Sequence, residues 1–205
     1  PPPRPMLTPQ NGVTLLNVPF TSQAPFGGWS DPRQENGCEE AAALMAVSWA
    51  RGQTLTSQAA LDQILAASDF EQEMYGNYID TSVDDTVQRI FKEYFHFSNV
   101  QARHDITIDD IKEEIFKGNI VLIPVNGRQL DNPHYTAPGP LEHMLVIRGY
   151  DAATNEFITN DPGTRFGQEY RYSEDLLYNA AYDYGTGDGR PVGPIEKNMI
   201  VVSAA

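Results

Sequence analysis

Gln34-Glu35-Asn36-Gly37-Cys38-Glu39-Glu40-Ala41-Ala42-Ala43-Leu44-Met45-Ala46-Val47 decides how this chain is read. A turn signal ends in the only cysteine, and the residues after it are strong helix formers. Cys38 is therefore expected at or just inside a helix N-terminus. There the unpaired backbone N–H groups and the positive end of the helix dipole favour a thiolate over a thiol. Asn36 and Gly37 let the chain bend sharply onto that helix. Such a position suits a catalytic nucleophile, and inert core packing is the competing reading of a lone cysteine. Glu39 and Glu40 suit a first helical turn but oppose ionisation of the adjacent sulfur. A base from elsewhere in the fold has to supply the rest.

Outward from this stretch, the helix is expected to run to about Arg51, stopped by Gly52. Apolar spacing and capping residues predict further helices over 58–67, from Thr81 or Ser82 to about Tyr94, and over 108–117. The pattern then changes. Asn119–Val125 is an apolar, β-branched run whose Pro124 suits an edge or a strand end. His143–Tyr150 reads as a buried strand, Asp151–Asn155 as a turn, and Glu156–Asn160 as the returning strand of a β-hairpin. Residues 173–183 read as helical, 184–194 as a glycine-rich loop, and 199–202 as a closing strand. Residues 1–13 form a proline-rich lead, Thr14–Phe20 a short strand-like approach, and 14–205 one domain. Helices first and a mainly antiparallel sheet second is an α+β arrangement.

The hairpin brings chemistry to Cys38. His143 opens its first strand, and Asp161 ends the second, so the strands bring the imidazole and a carboxylate to one end. A carboxylate there fixes the tautomer of the ring and stabilises imidazolium once it forms. Asn160 is the alternative orienting residue, since strand alternation points only one of the two at His143. Acyl transfer also needs donors for a developing oxyanion. The Cys38 N–H is one, and a glutamine amide from the preceding loop, Gln23 or Gln34, is the second. Trp29, Phe26, Tyr135 and His134 lie in loops able to border a cleft, and residues 126–140 are long enough to cross it.

Composition narrows the classes. Lysine and arginine total 14 against 28 acidic residues, a formal net charge of -14. No basic stripe is available to neutralise phosphates, which argues against nucleic-acid binding. One cysteine excludes an internal disulfide framework and a multi-cysteine zinc site. No run reaches the length of a transmembrane span. No cofactor is implied.

Four blocks in this order resemble the peptidase C39-like family of papain-like cysteine peptidases: Asn17–Gln23, Cys38–Ala42, Glu142–Asp151 and Asn160–Pro162. The resemblance covers roughly residues 14–202. It implies a papain-like fold, Cys38 as nucleophile, His143 as general base, Asp161 as the orienting carboxylate and an oxyanion glutamine upstream. The valine-proline-aromatic-x-serine-glutamine block points to Gln23, while the longer spacing to the cysteine keeps Gln34 open. Many members follow the cysteine with Gly-Pro, whereas Glu39-Glu40 marks an acidic subgroup. The implied partner is a peptide or protein substrate, with a monomer and an extracellular or cell-surface setting as expectations. Competing readings are a non-catalytic binding domain on the same frame and a cell-wall amidase or transpeptidase using the same triad.

Overall fold

The architecture is carried by a seven-stranded sheet whose strand pairs are all antiparallel. The computed structural model describes Leu7, residues 12–187 and residues 195–204. The strands are β1 (Val13–Leu15), β2 (Val100–Arg103), β3 (Ile120–Val125), β4 (His143–Asp151), β5 (Glu156–Asn160), β6 (Gln168–Ser173) and β7 (Met199–Val202). They lie in the order β2-β7-β3-β4-β5-β6, with β1 paired to β4. Helices α1 (Pro32–Glu35), α2 (Cys38–Ala50) and α3 (Ser57–Tyr75) come first. Next is α4 (Val83–Asp85), which runs into a π-helical stretch over Thr86–Tyr94; α5 (Ile108–Phe116) and α6 (Glu174–Ala180) follow. Among the described residues no helix is long and apolar enough to cross a membrane.

The sheet is covered on both faces, which explains why β3 and β4 are apolar at consecutive positions rather than at alternate ones. Ile120, Leu122, Met144, Val146, Ile200 and Val202 pack with α2, α3 and the π-helical stretch. Val121, Ile123, Leu145, Ile147 and Val201 face the opposite way, onto α5 and α6. Pairing of β3 with β7 spans only Ile120 to Leu122. Pro124 therefore sits in an interior strand but beyond that ladder, where its missing N–H breaks no rung.

Helix α2 is the central buried helix, with twelve of its thirteen residues buried. It is alanine-rich on the sides that meet the sheet and α3, which lets backbones approach closely. Gly37 is required just before it: a Cβ there would lie 2.6 Å from the Arg33 carbonyl oxygen and 3.1 Å from Ile64 Cγ2.

Several elements differ from expectation. Helix α3 continues to Tyr75, well past residue 67, because Ala67, Ser68 and Glu71 keep one stripe buried; Gly76 then ends it in left-handed backbone (φ 74°). Strands β2 and β6 arise in stretches assigned no strand. Helix α6 stops at Ala180, where the backbone at Ala181 turns extended and forms a bridge with Val125. The strand-like approach over 14–20 is shorter, with only Val13–Leu15 paired. Most of the proline-rich lead and of the 184–194 loop lies outside the described residues.

Candidate active site

Val146 pairs with Asn160 in the β4–β5 ladder. One step further along, Asp161 stands beside Leu145, on the same face of the sheet as His143, while Asn160 faces the other way. His143 Nε2 and Asp161 Oδ1 are 2.8 Å apart, with both side chains almost fully buried. The imidazole is thus held through Nε2, leaving Nδ1 as the nitrogen able to exchange a proton.

Asp161 is surrounded by donors. Its Oδ1 also accepts the Gly163 N–H at 3.0 Å. Its Oδ2 accepts the Tyr135 hydroxyl at 2.5 Å, the Tyr172 hydroxyl at 2.7 Å and the Asn132 amide at 3.3 Å. Burial pushes this carboxyl up, but the His143 charge and the hydrogen bonds from His143, Tyr135 and Tyr172 outweigh it and hold it below the usual range. Asp161 is therefore a fixed anion under the ring. Gly163 matters for contact as well, because a Cβ there would sit 2.9 Å from His143 Cε1.

Cys38 is the first residue of α2, and the preceding Gly37 offers no side-chain cap. The Cys38 N–H accordingly has no acceptor within the helix. Cys38 is only 4% exposed and lines a cleft of about 1130 Å3 that His143 also lines. It donates to Glu39 Oε2 at 3.0 Å. Glu39 Oε1 is itself held by the Tyr184 hydroxyl at 2.6 Å and the Thr81 N–H at 3.4 Å. Burial pushes the Cys38 thiol well up, and the Glu39 and Asp80 carboxylates push the same way, against a weaker opposing pull from the Met144 N–H. The helix-terminus effect expected to favour a thiolate is therefore outweighed. In the resting arrangement the sulfur is a protonated thiol turned to Glu39, and no hydrogen bond among the described residues joins it to His143.

The two glutamines are placed differently. Gln23 lines the cleft, and its Nε2 donates to the carbonyls of Gln34 (3.0 Å) and Glu35 (2.7 Å), spending both amide hydrogens on the turn that leads to Cys38. Its Oε1 is buried without a partner. Gln34 packs its side chain against Gly28 and bonds Asp31, outside the cleft. Asn160 bridges the Val18 and Pro19 carbonyls and accepts from Arg148, so it braces the Val18–Pro19 turn against β5 rather than the imidazole. Arg148 is 3% exposed and bound to the Leu16 carbonyl through Nε at 2.8 Å. The cleft also takes in Phe26, Trp29, His134 and Tyr135, together with residues 136–140 of the long excursion.

Most donors around Asp161, and those that hold Glu39 beside Cys38, were missed from sequence. Tyr172 lies on a strand that carries no apolar signal, and Asn132 and Tyr184 approach over separations of 29 and 145 residues. Nothing local marks such contacts.

The model of the Peptidase_C39 like family matches residues 15–186. This chain belongs to that family. No curated protein matches it. Among solved structures, a candidate C39-like peptidase from Bacillus anthracis superposes with a TM-score of 0.57 at 16% identity, covering 93% of this chain and 98% of that one. Xylellain, a cysteine protease from Xylella fastidiosa, gives a TM-score of 0.55 at 13% identity, covering 98% and 91% respectively. At these identities the likeness is one of fold: an α+β, papain-like arrangement with helices packed on a mostly antiparallel sheet.

Proposed function

We propose that this protein is a cysteine peptidase that cleaves peptide bonds through a thioester on Cys38. The observation that carries the reading is His143, held at 2.8 Å by the buried Asp161 and lining the same cleft as Cys38 at a helix N-terminus. In this mechanism the thiol turns from Glu39, and His143 Nδ1 takes its proton. Sγ attacks the carbonyl carbon, and the oxyanion forms near the Cys38 N–H, at the positive end of α2. The imidazolium, steadied by Asp161 at Nε2, gives its proton to the leaving amine. Water deprotonated by His143 then attacks the thioester, releasing the acid and restoring the thiol. Gln23, whose Nε2 is occupied, acts first as a clamp on the Gln34–Glu35 turn; donating to the oxyanion requires its amide to leave those two carbonyls.

An open cleft of about 1130 Å3 suits an extended peptide better than a small fixed amide. One observation favours a second reading, a non-catalytic binding domain on the same frame: the thiol donates to Glu39 and is held protonated. Turnover of an internally quenched peptide library by wild type, C38A, H143A and D161N separates the two. The peptidase reading expects cleavage that vanishes in C38A and H143A and falls about tenfold or more in D161N. Equal background turnover in all four proteins would select the binding domain.

A further inference from the structure

The walls beside Cys38 carry acceptors that the proposed chemistry does not use. Asp80 stands in left-handed backbone (φ 47°) in the segment after α3, and Glu142 immediately precedes His143. Both line the cleft with the thiol. Asp80 is pushed up to about 7 by burial, then by Glu39 and Glu142, and no positive group acts on it in the opposite direction. Glu142 is pushed up first by burial, although the Tyr182 hydroxyl and Arg128 pull the other way. An independent feature lies on the same cleft: Gln23 Oε1 is buried and unpartnered, with both hydrogens of that amide already committed. Among the described lining residues, Arg165 is the only lysine or arginine, and its guanidinium lies over the Phe166 ring at 4.6 Å from the centroid. The cleft therefore offers oxygen acceptors near the sulfur, with no protein cation acting on Asp80 and only Arg128 acting on Glu142.

We infer that Asp80 and Glu142 form a subsite for the cationic side chain of a lysine or arginine beside the scissile bond, with Gln23 Oε1 accepting an N–H of the same peptide. This rests on the peptidase reading above. Charge complementarity selects this occupant: a bound ammonium or guanidinium satisfies carboxylates that repel one another when the cleft is empty. The same cation acts on the nucleophile. Asp80 is one of the charges that keep the Cys38 proton in place. Neutralising it eases transfer of that proton to His143, so the correct substrate promotes ionisation of the thiol it meets. Exposed Phe26, Trp29, Leu141 and Phe166 along the cleft serve the apolar remainder of the peptide.

The test uses acetyl-capped, internally quenched peptides of one sequence with Lys, Arg, Gln or Glu at each position flanking the cleaved bond. It also uses a Gln peptide with a free amino terminus. The readout is the ratio of kcat/KM for Lys or Arg over Gln within each protein, for wild type, D80N and E142Q. A ratio of about ten or more in wild type, reduced in both variants, is expected. A wild-type ratio near one, or an undiminished ratio in both variants, overturns the subsite. So does a preference confined to the peptide with the free amino terminus. Binding of the Lys and Gln peptides to C38A, followed by fluorescence anisotropy, separates the two levels of the argument. No cleavage of any peptide, with Lys-selective binding still weakened in the D80N background, would remove the peptidase reading and keep the cationic subsite. Equal binding of both peptides would remove the subsite alone.

Discussion

Glu71→Gln should make this protein more stable at alkaline pH and leave it nearly unchanged at pH 5. Glu71 is fully buried on α3, and neither carboxyl oxygen has a hydrogen-bond partner. Burial is the main influence, followed by the Glu39 charge, and with Arg89 opposing, the carboxyl is pushed from 4.5 to about 8. Glu40, also buried, has Oε1 bonded to Ser68 at 2.8 Å, its Oε2 unpartnered, and is raised by burial and then by Glu71. The sign follows from proton binding. The native state holds the Glu71 proton more tightly than the unfolded chain, so stability falls as pH rises from about 4.5 and the loss is complete above about 8. A shift of that size corresponds to about 5 kcal/mol as a ceiling, and relaxation of the site reduces it to about 2–4 kcal/mol. Glutamine has no proton to lose, and its amide can donate to Glu40. With a urea slope of about 2 kcal/mol/M, the E71Q midpoint should exceed wild type by about 1–2 M at pH 9 and match it at pH 5. Parallel pH profiles for the two proteins would refute the reasoning, because they would mean that Glu71 ionises as freely in the fold as outside it.

Two further perturbations address the site itself. Gly163→Ala places a methyl 2.9 Å from His143 Cε1 and 3.1 Å from Nε2; the ring must move off Asp161, and peptide turnover should fall about a hundredfold while the melting temperature drops only modestly. Turnover at the wild-type level would show that the imidazole tolerates displacement. Glu39→Gln removes the carboxylate that accepts the thiol proton, the strongest influence on Cys38 after burial. Iodoacetamide labelling of Cys38 at pH 7 should accelerate about tenfold, and unchanged labelling would mean that burial alone keeps the sulfur neutral.

What could be read from sequence was what depends on neighbours in sequence. The turn at Asn36-Gly37 and the alanine run after it place Cys38 at a helix start, and the structure begins α2 at that residue. The apolar runs of β3 and β4, and the turn between β4 and β5, come from the same kind of signal, which is why the hairpin brought His143 to the end that carries Asn160 and Asp161, while alternation alone left the choice between those two open. Polar segments were less legible. Gln168–Ser173 forms a strand because it pairs with β5, not because its own pattern demands one. The far turns of α3 stay helical because Glu71 is buried there, a position that hydrophobic periodicity counts against a core. The environment of the thiol was the least legible part. A first-turn glutamate normally points to water and complements the helix dipole, whereas Glu39 is 2% exposed and fixed by Tyr184, 145 residues away.

That placement gives the two halves of the site opposite characters. Asp161 is buried yet ionised, because His143, Gly163, Tyr135, Tyr172 and Asn132 supply it with donors. Cys38 is buried and neutral, because the groups facing it are chiefly Glu39 and Asp80. Moving one proton from sulfur to imidazole would create a thiolate beside those carboxylates, a state that the empty cleft opposes. Under the proposed mechanism, the energy for that transfer has to come from what fills the cleft. A cation at Asp80 and Glu142 supplies it directly, by neutralising charge near the sulfur. An apolar peptide supplies it only by excluding water, which strengthens the repulsion from Glu39 as much as the attraction to imidazolium. A papain-like frame with Glu39-Glu40 after its cysteine should therefore discriminate among substrates in the proton-transfer step, and the discrimination should appear in kcat rather than in KM alone.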